Sequence, residues 1–345
     1  MNFASDNTTG AAPEIIDALT VANEGAQLGY GNDDLTHNAE DQIREIFETN
    51  AQVFLVATGT AANSLALSVM TPPHGAVFCH WFSHVYEDEC GAPEFFSGGA
   101  RLIPVDGPQG KLDIRDLAQK AAYGKGDVHM LQPSAATVTQ VSELGTIYSL
   151  DELQAIADIC REYDLVLHMD GARFANALVA LGCTPAEMSW KAGIDVLSLG
   201  ATKNGALAVE AVVIFKPELA ETFAFRRKRA GHLFSKMRLL SAQMTAYLKD
   251  DLWLKNARHA NDMAAALHSG LRDIPGVEFP YTTAANMLFP RFSAELTNAL
   301  HAEGFKFYDN RWEVGICRLV TAFNTQRNDV NAFIKAARRH ASSVA

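Results

Sequence analysis

The sequence has little cysteine, no long apolar run and no excess of positive charge. Its five cysteines are scattered at positions 79, 90, 160, 183 and 317, and neither their number nor their spacing fits a disulfide framework or a zinc site. No apolar run approaches the length of a membrane helix, and the N-terminus lacks the basic and apolar regions of a secretion signal. We therefore expect a cytoplasmic protein with no metal site and no membrane partner.

The charge balance is acidic. The 345 residues carry 29 Lys and Arg against 40 Asp and Glu, a formal net charge of −11 at pH 7, which argues against nucleic acid as a partner. The one basic run, residues 226–229, is interpreted as a solvated helix face. A chain of this length with 48% hydrophobic residues suits a large domain with a smaller appendage.

Short apolar segments alternate with amphipathic segments over the first two thirds of the chain. The apolar positions Leu153, Ile156, Ala157 and Cys160, for example, have helical spacing. This alternation predicts an α/β fold, in which helices cover both faces of a mostly parallel sheet. Strands are predicted near residues 52–57, 76–80, 101–105, 127–131, 164–169, 194–199 and 211–215, and helices at 60–70, 113–123, 150–163 and 173–181.

The pattern changes after about residue 217, where long helices follow one another as far as Ile274-Pro275-Gly276. Strands near 286–291 and 316–321 and a closing helix from about residue 327 then predict a smaller α+β unit. We therefore predict a large domain over residues 1–250, whose N-terminal segment contributes to the active site, and a small C-terminal domain over residues 251–345.

Lys203 is the most informative single residue. It follows the predicted strand 194–199 after a turn of small residues, a setting that suits a buried amine attacking a carbonyl. About thirty residues earlier, Asp170 follows the predicted strand 164–169, and ligands of such sheets bind at the carboxyl ends of the strands. Pyridoxal phosphate chemistry needs these two groups, because the amine forms a Schiff base and the carboxylate keeps the pyridine nitrogen protonated.

A third pattern supplies a phosphate site. The predicted strand 52–57 leads through Thr58-Gly59-Thr60 into a helix, a geometry in which free backbone amides and the helix dipole bind a phosphate. Each pattern alone has an ordinary alternative. The lysine could be a solvated loop residue, the Asp-Gly pair a turn, and the threonines simple helix caps.

His84 lies in an acidic stretch after the predicted strand 76–80. Alone, it is equally compatible with a surface histidine. Beside a cofactor, an imidazole in this place could stack on the ring or take a proton from a substrate hydroxyl.

Taken together, these blocks resemble those of the low-specificity L-threonine aldolases, which belong to the aspartate-aminotransferase fold type (type I) of pyridoxal phosphate enzymes. The resemblance covers nearly the whole chain and depends on the order and spacing of the blocks. Its blocks are residues 4–8, 29–33, 58–63, 83–84, 168–173, 203–205, 236–238, 317–321 and 327–329.

The resemblance implies a role for each matching residue. The residues implied to bind the cofactor are Lys203, Asp170, Gly59, Thr60, His84, Arg173 and Arg238. Those implied to bind the substrate are Ser5, Tyr30, Tyr86, Arg173 and Arg318. Lys203 and His84 would be catalytic, and Arg238 would reach the phosphate of a neighbouring subunit in a homo-oligomer, a dimer or a tetramer.

The implied reaction cleaves L-threonine, L-allo-threonine and related β-hydroxy-α-amino acids such as phenylserine into glycine and an aldehyde. Two alternatives stay open at this point. A β-eliminating lyase on the same scaffold would release pyruvate and ammonia, whereas a non-catalytic descendant would only bind the cofactor or an amino acid. The presence of both Lys203 and Asp170 argues against the second alternative, because binding alone would not need both.

The chain departs from the family pattern at three blocks, one of which is the pair Thr202 and Asn204 that flanks Lys203, where the family has Ser and Gly. Residues 132–135 read Gln-Pro-Ser-Ala where the family has Glu-Asn-Thr-His, so a histidine near the substrate hydroxyl is absent. His84, or a water held by the cofactor phosphate, must then take the hydroxyl proton, and His80 is the next candidate. Residues 234–236 replace a glycine triplet before Met237 and Arg238.

Overall fold

The computed structural model describes residues 1–341, and the larger of its two sheets has seven strands. These are β1 (Gln52–Val56), β2 (Gly75–His80), β3 (Arg101–Val105), β4 (Gln132–Thr139), β5 (Val166–Gly171), β6 (Val196–Gly200) and β7 (Glu210–Ile214). The strand order is β1-β7-β6-β5-β4-β2-β3. Only β7 runs antiparallel to its neighbours, which confirms the predicted mostly parallel α/β fold.

Helices precede, connect and follow these strands. They are α1 (Pro13–Ala22), α2 (Asp34–Ile46), α3 (Gly59–Met70), α4 (His84–Glu87), α5 (Ala92–Ser97), α6 (Ile114–Ala122), α7 (Leu150–Glu162), α8 (Phe174–Leu181), α9 (Ala220–Arg229), α10 (Arg238–Leu248), α11 (Leu252–Leu271), α12 (Ala294–Ala302) and α13 (Arg327–Ala341). At the start of α7, the Ser149 hydroxyl accepts from the Glu152 amide and the Glu152 carboxylate accepts from the Ser149 amide. This reciprocal cap fixes the helix start, and the predicted apolar stripe of α7 is buried.

The strand predicted at 127–131 is wrong. These residues form a turn in which the His129 amide donates to the Asp127 carboxylate, and Val128 is 93% exposed. The Gln132 side chain closes the turn by donating to backbone carbonyls within residues 124–130. The strand begins only there, and Pro133 is accommodated because a missing N–H is tolerated at the start of a strand.

The smaller sheet lies in the C-terminal part of the chain. Its strands are β8 (Met287–Leu288), β9 (Tyr308–Asp309) and β10 (Cys317–Val320), in the order β8-β10-β9 with antiparallel pairing. Phe3 packs into the apolar cluster of this unit, where its amide donates to the Lys306 carbonyl and its carbonyl accepts from the Val320 amide. The N-terminus is thus attached to the small unit. The predicted boundary at residue 250 stays a prediction, and residues 342–345 lie outside the described part of the chain.

Within residues 1–341, no helix is both long and apolar enough to cross a membrane. In the same range, no three or more His, Cys, Asp or Glu side chains are grouped so that they could hold a metal ion.

The carboxyl ends of β5 and β6 lie in unusually close contact. A Cβ added to Gly200 would lie 2.5 Å from the Ala172 carbonyl oxygen, and one added to Gly171 would lie 2.7 Å from the Ser198 carbonyl oxygen. Only glycine fits where backbones approach so closely. This contact holds the segments that follow the two strands beside each other, and these segments include the functional candidates.

We expect Gly200→Ala to lower the free energy of unfolding by about 1–3 kcal/mol, because the added methyl group meets backbone that cannot turn away. Gly10→Ala is the matched control, since no atom lies within 4 Å of its added Cβ. Urea denaturation of both variants and the parent measures the difference. Equal stability of Gly200→Ala and the parent would contradict the close contact.

Candidate active site

A cavity of about 340 Å³ opens at the carboxyl ends of the central strands. It lies between the N-terminus of α3, the end of β5 and the turn after β6. Five of the residues predicted from the sequence line it together: Gly59, Thr60, His84, Asp170 and Lys203. Its volume is in the range of small-molecule sites.

The N-terminus of α3 presents free amides to this cavity. The Thr58 hydroxyl accepts from the Ala61 amide at 3.1 Å and so caps the helix. The amides of Gly59 and Thr60 precede the first intrahelical donors and have no partner inside the helix. No protein atom lies within 4 Å of the Cβ position on Gly59, so an anion can approach these amides directly.

Asp170 is a buried carboxylate on the cavity wall, 3% exposed. Its Oδ2 accepts from Asn63 Nδ2 at 2.9 Å, and its Oδ1 accepts from the Ala172 amide at 3.0 Å. These bonds fix the orientation of the carboxylate. Sequence reasoning assigned no role to Asn63, although a buried polar residue inside the apolar helix α3 is a usable signal.

Lys203 follows β6 in a short turn and is half-buried at the cavity. Beside it lies Glu210, which sequence reasoning missed and which also lines the cavity. Glu210 Oε2 accepts from the Ala201 amide at 2.8 Å. Burial raises the pKa of Glu210 to about 7, against the opposing effects of the hydrogen bonds from Thr202 and Ala201 and of the Lys203 charge. A glutamate that begins an otherwise apolar strand was the available signal.

His84 begins α4 and reaches the cavity. Its Nδ1 lies 2.8 Å from Oε1 of Glu89, whose side chain is fully buried. Burial alone would lower the pKa of His84, but the hydrogen bond to Glu89 and the charges of Asp170 and Glu143 raise it above 6.5.

His80, the alternative proton acceptor, is engaged elsewhere. Its Nε2 lies 3.1 Å from the Gly107 carbonyl, and its Nδ1 accepts from the Phe82 amide at 3.1 Å. Burial lowers the pKa of His80. Both ring nitrogens therefore have backbone partners, and neither is left for a substrate.

Arg173 forms a buried ion pair with Asp6 and does not line the cavity. Its Nε and Nη2 donate to the two Asp6 oxygens at 2.7 and 2.9 Å. Burial would raise the pKa of Asp6, but the charge and hydrogen bonds of Arg173 lower it overall. Ser5, next to Asp6, uses its hydroxyl to accept from the Asn7 amide at 3.2 Å.

Arg318, on β10, is only 8% exposed and incompletely paired. Its Nη2 donates to the Ala4 carbonyl at 3.1 Å, and the guanidinium lies 4.9 Å from the Tyr308 ring centroid and 5.2 Å from that of Trp312. Its buried Nε has no partner within residues 1–341. Burial and the nearby charge of Arg173 lower the pKa of Arg318. Such a cation suits an anionic ligand group.

The chain does not bring its other predicted site residues to this cavity. Tyr30 is 51% exposed, with the Lys228 Nζ 4.5 Å from its ring centroid. Tyr86 is 36% exposed and contacts Trp81 edge to face. The Arg238 guanidinium donates to the carbonyls of residues 24 and 25 at 3.2 Å.

The cavity residues fit the pyridoxal phosphate that the resemblance implies. An amine on Lys203, a fixed carboxylate on Asp170, an imidazole on His84 and the free amides of α3 meet on one cavity. The Oδ1 atom of Asn63, also on the cavity wall, is buried and has no partner within the described residues. An unsatisfied polar atom at this place is expected of a site that holds a polar group.

Comparisons with known proteins agree with this geometry. The family model for beta-eliminating lyases matches residues 2–293. The low-specificity L-threonine aldolase of a Pseudomonas species is 48% identical over 309 residues, which cover 89% of this chain and 88% of that protein.

Solved structures give the same result. A threonine aldolase from Leishmania major is 30% identical, covers 99% of both chains and superposes with a TM-score of 0.92. An aspartate aminotransferase from Rhodobacter sphaeroides, 17% identical, covers 100% of this chain and 93% of its own with a TM-score of 0.72, and so shares the fold. The predicted fold type and family are confirmed. The chain belongs to the beta-eliminating lyase family and, within it, to the low-specificity L-threonine aldolases.

Proposed function

We propose that the protein is a pyridoxal phosphate-dependent aldolase that cleaves L-threonine, L-allo-threonine and related β-hydroxy-α-amino acids, such as phenylserine, into glycine and an aldehyde. The observation that carries the proposal is the meeting of Lys203, Asp170 and His84 on one cavity at the strand ends. The 48% identity to a threonine aldolase over most of both chains supports aldol cleavage over β-elimination.

The cavity residues divide the task of holding the cofactor. Lys203 would bind it covalently, Asp170 would pair with its pyridine nitrogen, and the amides of Gly59 and Thr60 would bind its phosphate. His84 would stack on its ring. When bound, the cofactor accepts the electrons of the bond that breaks at the substrate Cα.

The arginines would orient the substrate. The carboxylate binds to the unpaired Nε of Arg318, to Ser5 and to Arg173, whose Nη1 remains available because Asp6 uses only its Nε and Nη2. A fixed carboxylate sets which Cα bond is aligned for cleavage. Orientation of this kind is worth orders of magnitude in rate.

His84 would take the proton of the substrate β-hydroxyl. It is the imidazole on the cavity wall, whereas both nitrogens of His80 have backbone partners. As this proton leaves, the hydroxyl oxygen forms the aldehyde carbonyl. A water held by the cofactor phosphate could relay the proton, with His84 orienting it.

The active unit is at least a dimer, and we propose a tetramer. Closed homo-oligomers are the rule among soluble assemblies, and Tyr30 and Arg238 lie away from the cavity of their own chain. In this arrangement the side chains of Tyr30, Tyr86 and Arg238 would contribute to the cavity of a neighbouring subunit. Residues 1–250 and 251–345 are proposed as the large and small domains, supported for the described residues by a separate C-terminal apolar cluster.

The proposed reaction predicts its products. With pyridoxal phosphate supplied, L-threonine and L-allo-threonine should each give glycine and acetaldehyde in equal amounts, and Lys203→Ala should give neither, because the amine is lost. Borohydride reduction of the parent and peptide mass mapping should find a pyridoxyl group on Lys203. Pyruvate and ammonia as products would indicate a β-eliminating lyase, cofactor binding without turnover would indicate a binding protein, and an adduct on another lysine would disprove the role of Lys203.

His84→Phe should lower kcat by about 10²-fold or more with little loss of cofactor, because phenylalanine can stack but cannot accept a proton. A base works unprotonated, and the pKa of His84 is raised above 6.5. The kcat of the parent should therefore fall as pH decreases through a value above 6.5, and this acid limb should be absent from the variant. Near-normal turnover in His84→Phe would show that another group takes the proton.

Arg318→Ala should raise the KM for threonine by about 10²-fold, the equivalent of a charged hydrogen bond of up to about 3 kcal/mol. The visible absorbance of the bound cofactor should not change, because Arg318 does not line the cavity that would hold it. Arg291→Ala is the control, since Arg291 forms an exposed ion pair with Glu313 in the same unit. An unchanged KM in Arg318→Ala would refute the carboxylate assignment.

A further inference from the structure

Glu89 is a fully buried carboxylate that the proposed reaction does not yet use. It lies just after α4 and accepts hydrogen bonds from three side chains. These are His84 Nδ1 at 2.8 Å and Asn63 Nδ2 at 2.9 Å, both to Oε1, and Ser64 Oγ at 3.2 Å to Oε2. Such a carboxylate is costly to bury unless it is paired, so its partners are informative.

Asn63 connects this carboxylate to Asp170. Its Nδ2 donates to Glu89 Oε1 and to Asp170 Oδ2, each at 2.9 Å. An amide nitrogen has two protons, and here each proton serves one of two buried carboxylates. A continuous hydrogen-bonded chain therefore runs from His84 through Glu89 and Asn63 to Asp170.

A purely structural role for Glu89 would explain its hydrogen bonds to Asn63 and Ser64 but not the one to His84. Asn63 and Ser64 lie on α3. A neutral glutamine at position 89 could still accept their hydrogen bonds and hold the α4 segment against that helix. The bond to His84 is different, because it places an acceptor against Nδ1 of an imidazole that lines the cavity. A carboxylate there selects the tautomer that is protonated on Nδ1 and leaves Nε2 free to accept a proton.

We propose that Glu89 is a positioning residue that acts through His84. It holds the Nδ1–H tautomer and stabilises the imidazolium that forms when Nε2 takes the proton of the β-hydroxyl. In that step the O–H bond breaks, an Nε2–H bond forms and Glu89 stays ionised. The electrons left on oxygen form the aldehyde carbonyl as the Cα–Cβ bond breaks. The bound cofactor would accept the electron pair of that bond, and the balance closes when Cα gains one proton to give glycine. That this proton comes from a substrate β-hydroxyl rests on the proposed function.

The charged groups around His84 set the expected pH effect. Glu89, Asp170 and Glu143 are negative, and Lys203 is positive. Glu89→Gln removes only the carboxylate that contacts the ring, so the pKa of His84 should fall. Since the base must be unprotonated, the acid limb of kcat should move to lower pH, while kcat on the plateau should fall about tenfold or more because the imidazolium loses its partner.

Glu94→Gln is the matched control. It removes a carboxylate from the neighbouring helix α5, outside the cavity, and should leave both the plateau and the acid limb of the parent unchanged. A Glu89→Gln variant with the plateau and limb of the parent would overturn the proposal.

A double-mutant cycle separates action through His84 from a structural effect. If Glu89 works through the imidazole, adding Glu89→Gln to His84→Phe should cost little further kcat. Fully additive losses would instead show a structural role. If Glu89→Gln folds poorly, Glu89→Asp keeps the charge and should keep the acid limb at a lower kcat, and a limb shifted to lower pH in that variant would contradict the proposal.

Nitrogen-15 NMR of the His84 ring in the holoenzyme provides a readout that needs no turnover. The parent should show Nδ1 protonated and Nε2 unprotonated at high pH, and Glu89→Gln should titrate at lower pH. The opposite tautomer, or an unchanged titration, would disprove the assignment of Glu89. If the parent releases no glycine, the proposed function fails, and this spectrum still decides the role of Glu89.

Discussion

The hydrogen bond between the Asn63 amide and the Asp170 carboxylate is the contact on which the site depends. It joins the helix that presents free amides to the strand that presents the acid, so the α3 amides and the Asp170 carboxylate keep a fixed spacing across the cavity. Asp170 is almost completely buried, and an ionised carboxylate in that setting must be satisfied by several donors. The Ala172 amide supplies another, and the close contact at Gly200 keeps that amide in place.

Several carboxylate side chains lie on or close to the wall of this small cavity. Asp170 and Glu210 line it, and Glu89 lies just behind His84. Anionic walls of this kind favour cationic forms of the groups between them, which suits the proposed roles of Asp170 beside a pyridine nitrogen and of His84 as a base. Burial raises the pKa of Glu210 to about 7, so that near neutral pH this carboxyl group is protonated part of the time.

Local patterns in the sequence predicted most of the fold and five of the residues that line the cavity. Asp170 and Lys203 were identifiable because Asp170 lies at the carboxyl end of one buried strand and Lys203 follows another, and parallel strands bring such ends together. Glu89 and Asn63 were missed as partners because their contact joins two separate helical segments, which no local spacing encodes. The strand at 127–131 was predicted as one of the short apolar segments, but Gln132 closes a turn there. The hydrogen bonds that close this turn are local, but they run from a side chain to the backbone, and the apolar pattern of the segment does not reveal them.

Arg173 and Arg318 differ in how completely they are paired, and the path of the N-terminal segment explains the difference. Arg173 is neutralised by Asp6, and the segment that carries Asp6 is attached to the small unit through Phe3. Arg318 comes from that same unit and keeps an unsatisfied Nε. The N-terminal segment therefore links both cations, and burial, together with the nearby charge of Arg173, lowers the pKa of Arg318. The substrate carboxylate proposed above would give the Arg318 Nε the acceptor that the described residues do not supply.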